Sequence, residues 1–572
     1  MVNASGGVRL RETQGPKNRA RTGMIASSPL PPISFRVSRS RRVLGLVTRH
    51  WATALFCVIS ATLFGWVTWE AMYLRMITWE SGADYWEHSA TLHSLIENPW
   101  HPRHPHLATF AGSPRFGPQF LLVALIARAL HWDAIQAMAL ASVLNTALFL
   151  SGIYALCRVY FRHRLAPLYG LFVMFGAWWV AFHFSNVYSL PQFFSVSAFP
   201  STTALGLTFH GFALATRTLR RAQREPQWLR LLALGVWAAA VLIVHPLTAA
   251  MSLSGAVLLA VVDPRVPLRR RAEVMAAVIV GSALAHFWPY FSPWVVLRGG
   301  HGEAADWASE SVKQATELYV KPQRHKFYKL YPMLNTLGLA VVTVACLPYF
   351  AWKRERWFIA LGTVSMLLPF AVNAFIELPL GHRFLLLAMV YLHLGLIWLA
   401  LGLTPGHRRS FPWVRFRWVG VITSLFVAAT LLVFFSHSVQ QAYHQQSVRR
   451  YYGEIESPVV LRGRLLAELV GPKAVILATP ATSWPIPTFG PRVLVLFHED
   501  PLVRDARERE AEVRRFLRPG LSDEQRWAIL HEYGVTHVVL ARGEGGGAVG
   551  FLGENSEERS LGGPFRLYTL KH

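Results

Sequence analysis

Apolar runs of about 20 residues, the length needed to cross roughly 30 Å of hydrocarbon, recur along the first three quarters of the chain between short polar gaps. The clearest, "WVGVITSLFVAATLLVFFS" (418–436), contains no charge. The pattern predicts spans near 51–69, 134–157, 166–184, 200–216, 229–246, 247–262, 274–297, 333–351, 357–376, 384–403 and 418–436. "FLLVALIARAL" (120–130) is apolar but short, and "HWD" interrupts it, so it is expected to lie on the surface or re-enter rather than cross. The expectation is therefore an all-α transmembrane bundle of 11 spans, with counts up to 13 left open.

The texture changes after residue 437. "KAVILA" (473–478), "RVLVLF" (492–497) and "VTHVVLA" (535–541) read as buried strands. "SDEQRWAILHEYG" (522–534) opens with Ser522 and Gln525 in capping-box spacing and stops at Gly534. This order predicts a small α/β domain over 437–572. "GEGGGAVG" (543–550) reads as a turn; a phosphate-cradling loop would need a helix after it, and the pattern predicts none.

Composition agrees with a membrane protein: 53% of residues are hydrophobic and 16% charged, against about 25% charged in soluble domains. The net charge of +25 changes the picture only through its distribution. The first 50 residues hold ten Lys or Arg against the single acid Glu12. Other basic clusters fill short gaps, as in "RTLRRAQR" (217–224), "DPRVPLRRRAE" (263–273) and "KRER" (353–356). Short basic loops stay cytoplasmic, so the charge is a topology signal and nucleic acid is not an expected partner. Residues 1–45 read as a basic cytoplasmic tail and 46–436 as the membrane module. Loops 70–118 and 298–332, and the C-terminal domain, are expected to face outward. The three cysteines lie in apolar runs and show no metal spacing.

Candidate chemistry gathers on the outward side. In "GADYWEHSATLHS" (82–94), Asp84, Glu87, His88 and Thr91 share one face if the segment is helical, while Leu92, Leu95 and Ile96 offer a face that could rest on the bilayer. Such a carboxylate suits a general base; with His88 it could ligate a divalent cation; the plain alternative is a first turn whose acids favour the helix dipole. The Pro-rich loop 98–120 carries His101, His104 and His106, a metal option, and Arg103 and Arg115, which could grip a phosphate. Lys321, Arg324, Lys326 and Lys329 make loop 298–332 basic against the topology trend. Glu377, His382 and Arg383 in "FIELPLGHRFLLL", and His245 in "VLIVHPLTAAM", are ionisable groups near membrane depth, where function is the default expectation.

"GADYWEH", "GHRFLLL" and the segments from "VILATPATSWPIPTFGPRVLVLFHED" to "RWAILHEYGVTHVVLA" resemble the GT-C glycosyltransferases, the polyprenyl-phosphate-sugar-dependent enzymes that include bacterial arabinofuranosyl-, mannosyl- and aminoarabinose transferases. The resemblance implies a bacterial inner-membrane enzyme that moves a sugar from a polyprenyl-phosphate donor to a hydroxyl on a glycan, lipid or protein. It further implies Asp84 or Glu87 as base, and His382 and Arg383, with Arg115 or Lys326, at the donor phosphate. His88, His245 and Glu377 are candidates for substrate or metal. The adjacent acidic pair of several members is absent, since Asp84 and Glu87 are separated; no cofactor is certain and a divalent cation stays open. A lipid-linked saccharide transporter and a polysaccharide polymerase or ligase are the rival readings.

Overall fold

The computed structural model describes residues 39–72, 82–108, 112–179, 185–220, 227–297, 328–352, 354–376, 381–402, 417–453, 457–498 and 500–571. Ten helices open the chain: α1 Arg39–Met72, α2 Gly82–Glu97, α3 Pro118–Ala129, α4 Ala134–Tyr160, α5 Ala166–Gly176, α6 Leu190–Val196, α7 Pro200–Leu219, α8 Trp228–Val244, α9 Pro246–Val262 and α10 Leu268–Leu284. Helices Trp357–Val372, Phe384–Gly402 and Arg417–Gly453 complete the bundle.

Among the described residues, four helices are long and apolar enough to cross a membrane: His50–Met72, Ala134–Tyr160, Gly381–Gly402 and Ile422–Ser447. Several other expected spans are shorter helices. The run at 333–351 is broken into Leu330–Leu337, Val341–Ala345 and Leu347–Trp352. The last span continues as helix to Gly453, past the expected boundary at 436. Helix α3 has 12 residues, about 18 Å, too short to cross. It buries Phe120, Val123 and Ala124 against the protein.

The bundle centre is the helix from Phe384, whose side chains from Leu385 to Ile397 are all buried. Lipid tails are as apolar as leucine, so packing rather than water exclusion holds helices together in a membrane, and small residues allow close approach. The α8–α10 crossing shows this: a Cβ on Gly281 would sit 2.1 Å from the Gly235 carbonyl oxygen.

The C-terminal domain contains a five-stranded sheet in the order β2-β1-β3-β5-β4. Its strands are β1 Val475–Leu477, β2 Arg492–Val493, β3 His537–Ala541, β4 Ser556–Ser560 and β5 Phe565–Leu570. β1 pairs in parallel with β2 and β3, and the β4–β5 hairpin adds antiparallel strands to β3. The helix Asp523–Glu532 carries the anticipated reciprocal Ser522–Gln525 cap, and Gly534 ends it at φ +62°.

Two expectations are overturned. Leu92 and Leu95 do not rest on lipid: both are fully buried in a core shared by α2, α3 and α4. A helix, Val549–Asn555, does follow the glycine-rich turn. That turn is already filled by its own Glu544, which accepts from the Thr479 and Thr482 hydroxyls and the Ala541 N–H.

Candidate active site

Asp84 stands in the first turn of α2, where the helix dipole favours an acid, and is partly exposed. Its side chain makes no hydrogen bond or ion pair with another described residue. Its charge nonetheless acts on Arg383, His245, His88 and Arg115. Two arginines and two histidines from three distant parts of the chain thus lie within electrostatic reach of one carboxylate.

Each is placed by local structure. Arg383 ends a tight turn, Gly381–Arg383, just before the buried helix. A Cβ on Gly381 would lie 2.4 Å from the Asn373 side chain, so only glycine lets the turn sit there. The Arg383 guanidinium donates to Ser185 Oγ at 3.5 Å, and the preceding His382 is buried. His245 links α8 to α9 with extended backbone at φ −158°. Its Nδ1 accepts from the Thr248 N–H at 3.2 Å and the Thr248 hydroxyl at 2.8 Å, which leaves the ring proton on Nε2. Asn186 donates in turn to Thr248 Oγ1. His88 lies between the rings of Phe120 and Phe199; burial pushes its pKa down to about 4, so it is uncharged at neutral pH.

Glu87, one turn-position away, has a different environment. Its carboxylate is buried, 3.0 Å from Arg115 Nε and 3.6 Å from His106 Nε2. Arg115 reaches on to Asp500 at 3.2 Å. Asp500 also accepts from Ser113 Oγ at 2.9 Å and the Leu502 N–H at 2.9 Å. His104 completes the group: its Nδ1 accepts the N–H groups of His106 and Leu107, so Nε2 carries the proton and donates to Asp500 at 3.3 Å. Nearby, Arg492 contacts Ser94 and Glu97, Val493 N–H donates to the His106 carbonyl at 2.8 Å, and the Ser89 and Thr488 hydroxyls meet at 2.7 Å. The first loop and α2 are thereby clasped to the C-terminal sheet.

Burial raises the Glu87 carboxyl, and no single neighbour offsets it, but Arg115 together with His106, His498 and His88 holds the group below the ordinary carboxylate range. Asp500 is likewise held low, burial being overcome by the His104 hydrogen bond and by Arg115. A carboxyl whose pKa is lowered by folding stabilises the fold fully above its unfolded pKa, about 4, and loses that contribution as pH falls through the folded value. Thermal unfolding followed from pH 7 to pH 3 should show a plateau and then a steep loss, and Asp500→Asn should flatten that loss.

The structure brings Asp84, His88, His245 and Arg383 together. Glu87 and Arg115 are paired with each other. Lys326 and Glu377 lie outside the described residues. Among the described residues no three His, Cys, Asp or Glu side chains converge as metal ligands. Sequence reasoning missed Asp500, Arg492 and the Asn186–Thr248 relay; nothing in "FHEDP" signals a partner some 385 residues away.

No family model and no curated relative matches the chain by sequence. Solved structures do. ArnT from Cupriavidus metallidurans bound to undecaprenyl phosphate superposes with a TM-score of 0.51 at 13% identity, over 91% of this chain and 98% of that one. Its apo form gives 0.50 at 14% identity with the same coverage. The arabinofuranosyltransferase AftD from Mycobacteria gives 0.51 at 13% identity, over 91% of this chain and 40% of the longer AftD chain. The fold is that of the GT-C glycosyltransferases.

Proposed function

We propose that the chain is a glycosyltransferase of the bacterial plasma membrane, with its N-terminus cytoplasmic and its C-terminal domain outside. It would take a sugar from a polyprenyl-phosphate donor and place it on a hydroxyl of a glycan, lipid or protein. The observation that carries this reading is the half-buried Asp84 carboxylate, whose side chain has no hydrogen bond or ion pair with a described residue and which lies within electrostatic reach of Arg383 and His245. The fold shared with ArnT, whose structure holds undecaprenyl phosphate, supports the donor class.

In this reading Asp84 removes the acceptor hydroxyl proton as the oxygen attacks the anomeric carbon. The bond from that carbon to the phosphate oxygen breaks, polyprenyl phosphate leaves with the electron pair, and the anomeric centre inverts. Arg383, with His382 beside it, stabilises the charge growing on the phosphate. His245 presents its Nε2–H to substrate oxygen. Lys326 and Glu377, outside the described residues, remain candidates by sequence, and a divalent cation would need ligands from beyond the described residues. Glu87 and Arg115 hold α2 in place rather than react.

The test is transfer by the purified protein in detergent from a polyprenyl-phosphate sugar to a hydroxyl acceptor, with the product anomer read by NMR. Inversion is expected; retention would overturn the single-displacement step. Arg383→Ala should raise the donor KM by about 10- to 100-fold, the worth of one charged hydrogen bond, with the acceptor KM little changed. A defect confined to the acceptor would remove Arg383 from the phosphate.

A further inference from the structure

The far end of the bundle carries a second concentration of charge that the transfer reaction does not use. Helix α9 starts beside His245 and runs 17 residues to Val262, about 25 Å away. There the C-terminal ends of α4 and α7 meet the start of α8 around a cavity of about 380 Å³ lined by Arg158, Arg162, Arg217, Arg220 and Arg230. None of the five forms an ion pair with a described carboxylate. Arg220 donates to the Val159 carbonyl at 2.7 Å, and Arg162 lies near enough to repel it. Arg230 stands in the first turn of α8, the end of a helix where a cation is disfavoured. Four of the five are exposed, so water screens their mutual repulsion, yet together they present a dense positive surface that suits an anion.

Arg220 also lines a neighbouring cavity of about 240 Å³, whose walls include Phe161, Leu259, Phe358 and Leu401. Among its described lining residues the one acid is Asp263, whose carboxylate accepts the Arg265 backbone N–H. An open arginine-lined pocket thus adjoins a cavity of mixed lining, with Arg220, Arg265 and Arg354 beside an apolar wall of Phe161, Leu259, Phe358 and Leu401, an arrangement that suits a phosphate head with an acyl chain attached. Basic pockets between membrane helices bind lipids with more than one phosphate in this way.

We propose that this arginine-lined pocket binds an anionic phospholipid, preferentially one carrying two phosphates, with an acyl chain along the apolar wall of the neighbouring cavity. The site is separate from Asp84 and does not rest on the transfer reaction.

Delipidated full-length protein in detergent would be titrated with diphosphatidylglycerol and with phosphatidylethanolamine, and lipid adducts counted by native mass spectrometry. The two-phosphate lipid should bind at least tenfold more tightly. Arg162→Ala with Arg217→Ala, both at exposed positions, should abolish that preference, whereas Arg559→Ala with Arg566→Ala in the C-terminal hairpin should leave it intact. Leu259→Trp, which narrows the neighbouring cavity, should weaken the lipid without altering the unfolding temperature by more than a few degrees. Ten millimolar inorganic phosphate should not displace the lipid. Equal retention of the two lipids, equal loss in the hairpin control, or displacement by phosphate alone would overturn the assignment.

Discussion

Asp84→Asn should lower the rate of sugar transfer by about 10³-fold, within the range of 10² to 10⁴ that a general base contributes, while the protein still folds. Asparagine keeps the shape of the side chain and removes only its ability to take a proton. Because the Asp84 side chain makes no hydrogen bond or ion pair to a described residue, no buried partner is orphaned by the change, and the usual route to large destabilisation is closed. The relevant measurement is single-turnover transfer at saturating donor, with the unfolding temperature taken on the same sample. Glu87→Gln supplies the contrast. It breaks an ion pair at 3.0 Å to Arg115, so its defect should appear in stability first and in rate only as α2 loosens. Transfer by Asp84→Asn within about tenfold of the unmodified protein would place the base elsewhere.

The difference between these two acids shows where the sequence was readable. That Asp84 and His88 would share a face follows from their spacing once the segment is helical, and the helix is present. The cap at Ser522 and Gln525 and the strands β1 and β3 were equally legible, as was the start of β2, which stops at Val493 short of the expected 497, because each depends on residues within a few positions of one another. The role of Glu87 depends on Arg115 and Asp500, and the loop 98–120 became intelligible only with its partner sheet in view. Its histidines were a metal option in sequence, yet both nitrogens of His104 are occupied by backbone and by Asp500. Strand β4, "SEERS", has four exposed residues in five and so no apolar alternation to betray it. Arg383 and His245 could be singled out as ionisable groups amid apolar runs, but their convergence on Asp84 is a property of the folded bundle.

Asp500→Ala should be the most destabilising single change in the clasp, costing about 3–5 kcal/mol, the range for removing one partner of a buried pair. Asp500 has no exposed side-chain surface, and its removal strands the His104 Nε2–H and the Ser113 hydroxyl and leaves the Arg115 guanidinium with Glu87 alone. Glu97→Ala tests the magnitude argument from the other side. The Glu97 side chain is 43% exposed where it meets Arg492, so water already screens that pair and the loss should stay near or below about 1 kcal/mol. Thermal unfolding would rank the two, and hydrogen exchange on α2 would say why the larger one matters for activity. If the clasp holds Asp84 over the cations, the α2 amides should lose protection in Asp500→Ala and transfer should fall in step with them. Full transfer from an α2 that exchanges freely would mean that the C-terminal domain is not what fixes the base.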